Sequence, residues 1–344
     1  MDDYDTDSSD EDVTVMIVEV KYRYQLPTLP TTLIELNCSY NNLSRLTALP
    51  ETLRVLKCGN NYLSRLPKLP ALTWLEIHGN DFKTIRGLPP SLTYLSCGSN
   101  KMLKIPKLPN SLKVLKCYNN QLTKVKLPPN LEELYCCENQ IQILKLPSGL
   151  KILFCYHNQI TTLILPDGLE ELDCGKNQLT TLSLPATLKK LNCSTNNISS
   201  LHLNEQLVRV DLSYNPFVSV PRLPKGLQSI NFKFTQMENC FEITDQIIEH
   251  RYLFLYGTPL YRKIKAVVKT EERITCPVVI KRTFQIIRNI EARFKDIYYS
   301  MKARARILAW MWRAREKIAM KKYHPDELLK RLDYGFDAVE QWNE

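Results

Sequence analysis

A short pattern recurs along most of this chain of 344 residues, and it restricts the fold more than any other feature. The pattern reads L-x-x-L-x-C-x-x-N-x-L, and one intact copy comprises Leu112, Leu115, Cys117, Asn120 and Leu122. The asparagine returns every 19 or 20 residues, at Asn41, Asn61, Asn80, Asn100, Asn120, Asn139, Asn158, Asn177, Asn196 and Asn215. A fixed period of this length indicates an array of similar supersecondary units.

Each repeat is predicted to hold one short strand followed by a bend. The alternation Leu-x-Cys is strand periodicity with one face turned inward, and the asparagine amide can bond backbone groups at the bend. One unit cannot bury its own apolar face, so the units must stack. We therefore expect about eleven repeats over residues 13–237, forming a solenoid with a parallel β-sheet on its concave face. The last copy, residues 227–237, has Thr235 in place of asparagine and is predicted to close the array.

The segment that returns to the next strand carries a proline in most repeats. Nine copies read L-P-x-x-L, the third is shortened at Leu69-Pro70-Ala71-Leu72, and the tenth has Leu203-Asn204. Proline fixes φ and removes an N–H group, which disfavours helix. The convex side is therefore predicted to be extended or polyproline-like.

These motifs resemble the leucine-rich repeat family over about two thirds of the chain, and the L-P-x-x-L phrase is most similar to the short repeats of bacterial effector proteins. Some of those effectors carry a C-terminal ubiquitin-ligase domain with its nucleophile in a Cys-x-Asp motif. Here the cysteines after the repeats read Cys240-Phe-Glu and Cys276-Pro-Val. The resemblance therefore implies the repeat fold without implying ligase activity.

Eight of the 11 cysteines follow the repeat and are predicted to form a buried ladder. The other repeats have Ile77, Leu212 and Phe232 at that position, and free cysteine behaves as a small hydrophobe. Neighbouring rungs about 4.8 Å apart do not bring two β-carbons into disulfide geometry, and a single file of sulfurs does not close a zinc tetrahedron. Cys137 lies outside the ladder, and alternation predicts that it is exposed on the concave face.

The same alternation predicts a binding surface, because aromatic residues gather on the solvent-facing strand positions of repeats three to seven. Aromatic side chains are enriched at protein-binding hot spots. An equally open interpretation is that these rings stack between neighbouring strands and stabilise the sheet. The predicted protein-binding residues are Trp74, Tyr94, Tyr118, Tyr135, Phe154 and Tyr156.

The sequence contains no recognisable catalytic or cofactor-binding constellation. Its five histidines are dispersed, and none of its 10 glycines forms a phosphate-binding loop. We therefore predict a protein that is not an enzyme and that uses no cofactor, no metal and no small-molecule substrate.

The ends of the chain differ from the repeats in composition. Residues 1–12 carry seven acids and no base and are predicted to be a disordered tail, in which Ser8 and Ser9 precede further acids as an acidophilic kinase site would require. Residues 13–20 resemble a strand that could cap the first repeat. Residues 238–280 are predicted to cap the last repeat, as solenoid ends require, and residues 281–344 to form a basic amphipathic helix and a short terminal helix.

The predicted basic helix carries 13 bases and 3 acids over residues 281–322. Its apolar spacing is helical, and it could pack on the array, dock on an anionic membrane or partner groove, bind nucleic acid, or be recognised as calmodulin targets are. The predicted contact residues of this helix are Arg304, Arg306, Trp310, Trp312 and Arg313.

The last forty residues resemble the C-terminal segments of repeat proteins from giant DNA viruses, with a Tyr-His-Pro-Asp phrase at Tyr323 to Asp326. The resemblance implies a viral protein in the host cytoplasm or the virion. The acidic N-terminus is not a secretory signal and no apolar stretch is long enough to span a bilayer, so a cytoplasmic location is expected. The predicted function is a protein-interaction scaffold; the alternative is a tether whose basic helix binds anionic membrane or nucleic acid.

Overall fold

The computed structural model describes residues 15–17, 24–219, 221–236, 253–254 and 258–259. Its regular structure consists of short parallel strands, one for each repeat. Within the described residues, contacts divide the chain after Asn197 into two compact units. The first unit contains β1 (Val15–Ile17), β2 (Glu35–Asn37), β3 (Val55–Lys57), β4 (Trp74–Glu76), β5 (Tyr94–Ser96), β6 (Val114–Lys116), β7 (Glu133–Tyr135), β8 (Ile152–Phe154), β9 (Glu171–Asp173) and β10 (Lys190–Asn192).

In the first unit each strand pairs in parallel with the strand of the next repeat, without any shift in register. Leu115 at the centre of β6 is level with Leu95 of β5 and Leu134 of β7. The predicted strand before the first repeat is present as β1, which pairs with β2. The repeat in the sequence is therefore a repeat in the structure, and equivalent residues form straight columns across the sheet.

The core is built from these columns. The central leucine of β2 to β10 is buried, and so is the residue immediately after each of these strands, which is cysteine in eight of the nine repeats and Ile77 in the third. Cys97, Cys117 and Cys136, for example, have no exposed surface. The burial of all eight ladder cysteines confirms the predicted buried ladder, and the described cysteines are free thiols.

The asparagine of each repeat forms a second ladder, next to the cysteines. The Nδ2 group of Asn139 donates to the carbonyl oxygens of Cys136 and Cys137 at 3.1 and 3.0 Å, and to that of Cys117 in the preceding repeat at 3.1 Å. Its Oδ1 atom accepts from the N–H of Leu122 at 3.0 Å. Each asparagine from Asn61 to Asn196 joins its own bend to the previous repeat in this way, through a buried network in which donors and acceptor are satisfied.

The L-P-x-x-L phrase forms a hydrogen-bonded turn that leads into the next strand. The Leu112 N–H group donates to the Pro109 carbonyl at 3.2 Å, and the same bond recurs in other repeats. A hydroxyl inside the turn often bonds the preceding repeat, as when Thr187 Oγ1 donates to the carbonyls of Asp167 and Leu169. Over residues 24–219 and 221–236 there is no helix, as the prolines predicted, and the turn is the regular feature of the return segment.

One position has a left-handed backbone in every repeat of the first unit. It immediately precedes the ladder asparagine, and it is glycine only at Gly79. The other residues at this position in the first unit have φ between 49° and 58°; they are Tyr40, Asn60, Ser99, Asn119, Glu138, His157, Lys176 and Thr195. Asparagine tolerates this conformation well, whereas a β-branched residue such as Thr195 is strained in it.

The second unit contains β11 (Arg209–Asp211), β12 (Ser229–Asn231) and β13 (Leu253–Phe254), which pair in parallel in that order. Thr235 replaces the asparagine, and its Oγ1 donates to the Phe232 carbonyl at 2.9 Å. The predicted closing repeat is therefore followed by one more strand, which comes from the region that was predicted to cap the array.

Candidate protein-binding surface

The solvent side of the sheet in the first unit carries the predicted binding residues. In β2 to β8 the first and third residues of each strand point away from the core, and their side chains are half-buried in most cases. We call this surface the sheet face. Because the strands are in register, residues at the same position in consecutive repeats lie side by side.

Two large rings are stacked at one end of the aromatic cluster. Trp74 and Tyr94 are register partners on β4 and β5, and their ring centroids are 3.5 Å apart with an interplanar angle of 4°. Such pairs contribute on the order of 1 kcal/mol beyond the burial of their area. The expected stacking between strands is therefore present here, and it holds both rings in one orientation.

A lysine connects this pair to a second aromatic pair. Lys116 Nζ lies 5.4 Å from the ring centroid of Tyr94 and 5.1 Å from that of Tyr135, within the range of a cation–π interaction. Tyr135 then meets Phe154 edge to face, with centroids 5.2 Å apart. Trp74, Tyr94, Lys116, Tyr135 and Phe154 thus form one continuous line across five strands, which we call the aromatic row.

Carboxylates on the same strands hold the polar ends of two of these rings. Trp74 Nε1 donates to Glu76 Oε1 at 2.8 Å, and the Tyr135 hydroxyl donates to Glu133 Oε2 at 3.0 Å. Burial, followed by the hydrogen bond to Glu133, raises the pKa of Tyr135 to about 12. The row is therefore fixed at its polar ends as well as by ring contacts, so a ligand would meet a largely preorganised surface.

The other two predicted residues, Tyr118 and Tyr156, lie in a separate column beside the row. Tyr118 leans over the preceding repeat, because a β-carbon added to Gly98 would lie 2.7 Å from its ring. Tyr156 lies close to Cys137 of the preceding repeat: burial is the main cause that raises the pKa of Tyr156, and Cys137 contributes to the same shift. A large side chain in one repeat thus covers a small one in the repeat before it, and the same holds for His78 over Gly59.

This covering corrects the prediction for Cys137, which was expected to be exposed. Only 4% of the residue is exposed, and burial raises the pKa of its thiol to about 12. Strand alternation fails here because β7 ends at Tyr135 and the chain bends at Glu138, where φ is 53°. Cys137 is therefore a protected thiol, as are Cys38 and Cys97, whose pKa values burial also raises to about 12.

Charged pairs border the aromatic row on both sides along the sheet. Lys57 and Glu35 form an ion pair of 2.6 Å before it, and Lys190 and Glu171 form one of 3.0 Å after it. An apolar centre with a polar border is the usual arrangement of a protein interface.

Sequence reasoning missed two features of the surface. Lys116 is not among the predicted binding residues, although it lies between the rings of Tyr94 and Tyr135 and connects the two aromatic pairs. In the second unit, Tyr214 and Phe234 are stacked with centroids 4.5 Å apart and are 53% and 41% exposed. Both stand at the left-handed position, one residue before Asn215 and Thr235, which is the signal that could have revealed them.

Several predicted features lie outside the described residues. These are the acidic tail with Ser8 and Ser9, the basic helix of residues 281–322 with Arg304, Arg306, Trp310, Trp312 and Arg313, and the terminal segment with the viral resemblance. Within the described part of the chain, no group of three or more metal-ligating side chains comes together. No helix among the same residues is both long and apolar enough to cross a bilayer.

Comparison with solved structures finds leucine-rich repeat proteins. The YopM leucine-rich effector protein from Yersinia pestis is 29% identical, with a TM-score of 0.64, over 72% of this chain and 78% of that one. YopM from Yersinia enterocolitica is 26% identical, with a TM-score of 0.54, over 72% of this chain and 65% of that one, so the chain spans slightly less than two thirds of its length. The functional domain of InlJ from Listeria monocytogenes, described as including a cysteine ladder, is 24% identical, with a TM-score of 0.54, over 66% and 59% of the two chains.

No protein-family model and no curated protein matches the chain. The fold assignment therefore depends on the solved structures together with the period, the parallel strands and the asparagine ladder described above. Together they show that the described repeats have the leucine-rich repeat solenoid fold.

Proposed function

We propose that this chain is a non-enzymatic scaffold that binds a protein ligand on the sheet face of its repeats. Leucine-rich repeat solenoids generally use their extended sheet surface to bind other proteins. The observation that carries the proposal is the aromatic row, in which four rings and Lys116 form one connected line over five strands. Rigid aromatic side chains of this kind provide contact area at a low entropic cost.

Contacts between the rings stabilise the sheet and bury part of their surface, but they leave the rest of that surface open to a ligand. Each of the four aromatic side chains retains partial exposure, although a hydrophobic core lies directly beneath the sheet. Exposed aromatic residues that form one cluster are more informative than scattered ones. The cluster also lies in the middle of the first unit, between charged pairs, as a binding centre should.

The location we propose is cytoplasmic, in a host cell or a virion if the chain is viral. Its support is the set of buried, free thiols, which is typical of proteins in reducing compartments, together with the C-terminal resemblance described above.

The test is capture of a partner by the full-length protein, followed by a comparison of variants with the partner that is identified. Tyr94→Ala combined with Tyr135→Ala removes the two rings that Lys116 connects, and we expect the affinity for the partner to fall by at least about thirtyfold, as for loss of a hot spot. Tyr62→Ala is the matched control, because Tyr62 is 60% exposed and lies outside the row. Equal binding by both variants, with unchanged thermal unfolding, would refute the proposed site.

A further inference from the structure

The bases of the first unit are distributed unevenly, and one group of them has no ionic partner among the residues that the structure describes. Residues 82–131 contain nine basic residues and no acidic one. Three of the nine are occupied: Lys101 pairs with Asp81, Lys113 pairs with Glu132, and Lys116 lies between two rings. The remaining six form no ion pair within the described part of the chain; they are Lys83, Arg86, Lys104, Lys107, Lys124 and Lys126.

The fold brings these six residues together, away from the sheet face. They belong to three consecutive repeats, and in each repeat they lie in the segment between the ladder asparagine and the next L-P turn. All six are exposed, and repeats stack at a spacing of about 5 Å. We call this group the basic flank. Six unpaired cations so close together produce a strong local positive potential.

The complementary charge is present in the same chain. Residues 1–12 contain seven acids and no base, so the tail has one more charge than the flank and the opposite sign. No other stretch of this length in the sequence is comparably acidic. Because tail and flank are covalently connected, their effective concentration is high, on the order of millimolar.

The topology allows the tail to reach the flank. β1 runs parallel to β2, so Val15 at the start of β1 lies on the side where the L-P-x-x-L turns enter the strands. The flank follows a few strands further along, about 15 to 25 Å away at the repeat spacing. Fourteen extended residues span up to about 48 Å, and the eight from Asp7 to Val15 span up to about 27 Å, so the acids furthest from β1 can reach the flank.

We propose that the acidic N-terminal segment, residues 1–12, binds the basic flank of repeats three to five. The surface differs from the one under the proposed function, and the two proposals can fail separately. In the bound state the tail neutralises the flank, which keeps other polyanions such as nucleic acid away from it. Phosphorylation at Ser8 or Ser9 would add about −1.5 to −2 charges at each site and strengthen the contact.

The experiment is carbodiimide cross-linking of the full-length protein, which joins a carboxylate to a lysine amine without a spacer. At low salt we expect tail carboxylates to be joined to Lys104, Lys124 and Lys126, and these products to disappear in 0.5 M NaCl, where the screening length is only about 4 Å. Substitution of Lys83, Arg86 and Lys107 by glutamate leaves these three amines in place but reverses half of the charge of the flank, and it should also abolish the products. Lys176→Glu is the matched control, because Lys176 is exposed and the same repeat position holds Glu138.

A second measurement tests whether the basic flank is open to another polyanion. A labelled thymidine oligonucleotide should bind about tenfold more tightly, with a steeper salt dependence, when the seven tail acids are replaced by amides. Equal affinity before and after this change would show that the flank is open and would overturn the proposal. Cross-links that reach Lys176 as readily as the flank, or that join only two differently isotope-labelled copies, would overturn it as well.

Discussion

The same repeats present two surfaces of opposite character. On the sheet face, the rings contact one another, Lys116 lies between two of them, and Glu76 and Glu133 bond their polar ends. On the basic flank, six long side chains are exposed and have no ionic partner within the described residues.

The two surfaces would bind by different physical means. A rigid, partly desolvated surface binds at short range and gains affinity because little order is lost on binding. A field of exposed cations acts over about a Debye length, weakens with salt and shows little selectivity of shape. The first surface is therefore suited to a specific protein, and the second to an acidic chain segment.

The asparagine ladder supports both surfaces, so breaking it should have the largest effect. Asn139→Ala removes the amide that bonds the carbonyls of Cys136, Cys137 and Cys117, and it leaves the buried Leu122 N–H without its acceptor, Asn139 Oδ1. We expect a loss of about 2 to 3 kcal/mol in the free energy of unfolding, measured by urea denaturation with circular dichroism. Asn130→Ala is the control, because Asn130 makes one exposed bond, to the Asn110 carbonyl. Equal losses for both variants would contradict a special role for the ladder.

Removing the ring of Tyr156, which covers Cys137, should expose this one thiol and leave the core unchanged. In the native protein, Cys136 and Cys137 should react with iodoacetamide equally slowly, because both thiols are buried and the thiolate is the reactive form. Tyr156→Ala should speed up labelling of Cys137 about tenfold, by lowering its pKa towards the usual value, while Cys136 stays protected. Tandem mass spectrometry distinguishes the two sites. Rapid labelling of Cys137 in the unaltered protein would restore the original expectation of an exposed thiol.

The smallest effect is expected where neither surface changes. Thr195 is exposed and has a φ of 55°, which is costly for a β-branched residue and better tolerated by asparagine. Thr195→Asn should therefore stabilise the first unit by about 0.5 to 1 kcal/mol, measured by urea denaturation. Thr180→Asn is the control, since Thr180 is exposed and has no positive φ. A destabilised Thr195→Asn variant would show that the left-handed backbone is not under strain there.

Much of the fold could be predicted from the sequence, because a stacked repeat expresses its structure locally. Leu115, Cys117 and Asn120 each recur in phase, and each pattern corresponds to one physical role: the strand centre, the core rung and the bend. The position of a strand residue in its repeat therefore predicts whether its side chain faces the core or the solvent. The prediction is correct for Trp74, Tyr94, Tyr135 and Phe154, which lie on the solvent side. Whether these residues bind a ligand remains a prediction.

The direction in which a side chain points does not determine how far it is buried. Its burial also depends on the size of the side chain that the next repeat places over it. Cys137 was misassigned because alternation was extended beyond a strand of three residues and because Tyr156 lies over it. Lys116 could not be given a role from its own position, since its partners Tyr94 and Tyr135 come from two other repeats. The basic flank could have been found in the sequence, as fifty residues without an acid, but only the structure shows which three of its nine bases are occupied.

The asparagine ladder has a consequence for how such a protein changes over generations. The ladder asparagines from Asn61 to Asn196 bond their own repeat and the one before it, so their partners are defined by phase and not by position in the chain. Deleting residues 120–138 would join Asn119 to Asn139 and restore the same spacing from Cys117 to a ladder asparagine. Unequal recombination between repeats can therefore add or remove whole strands, and the footprint offered to a ligand can lengthen or shorten one strand at a time.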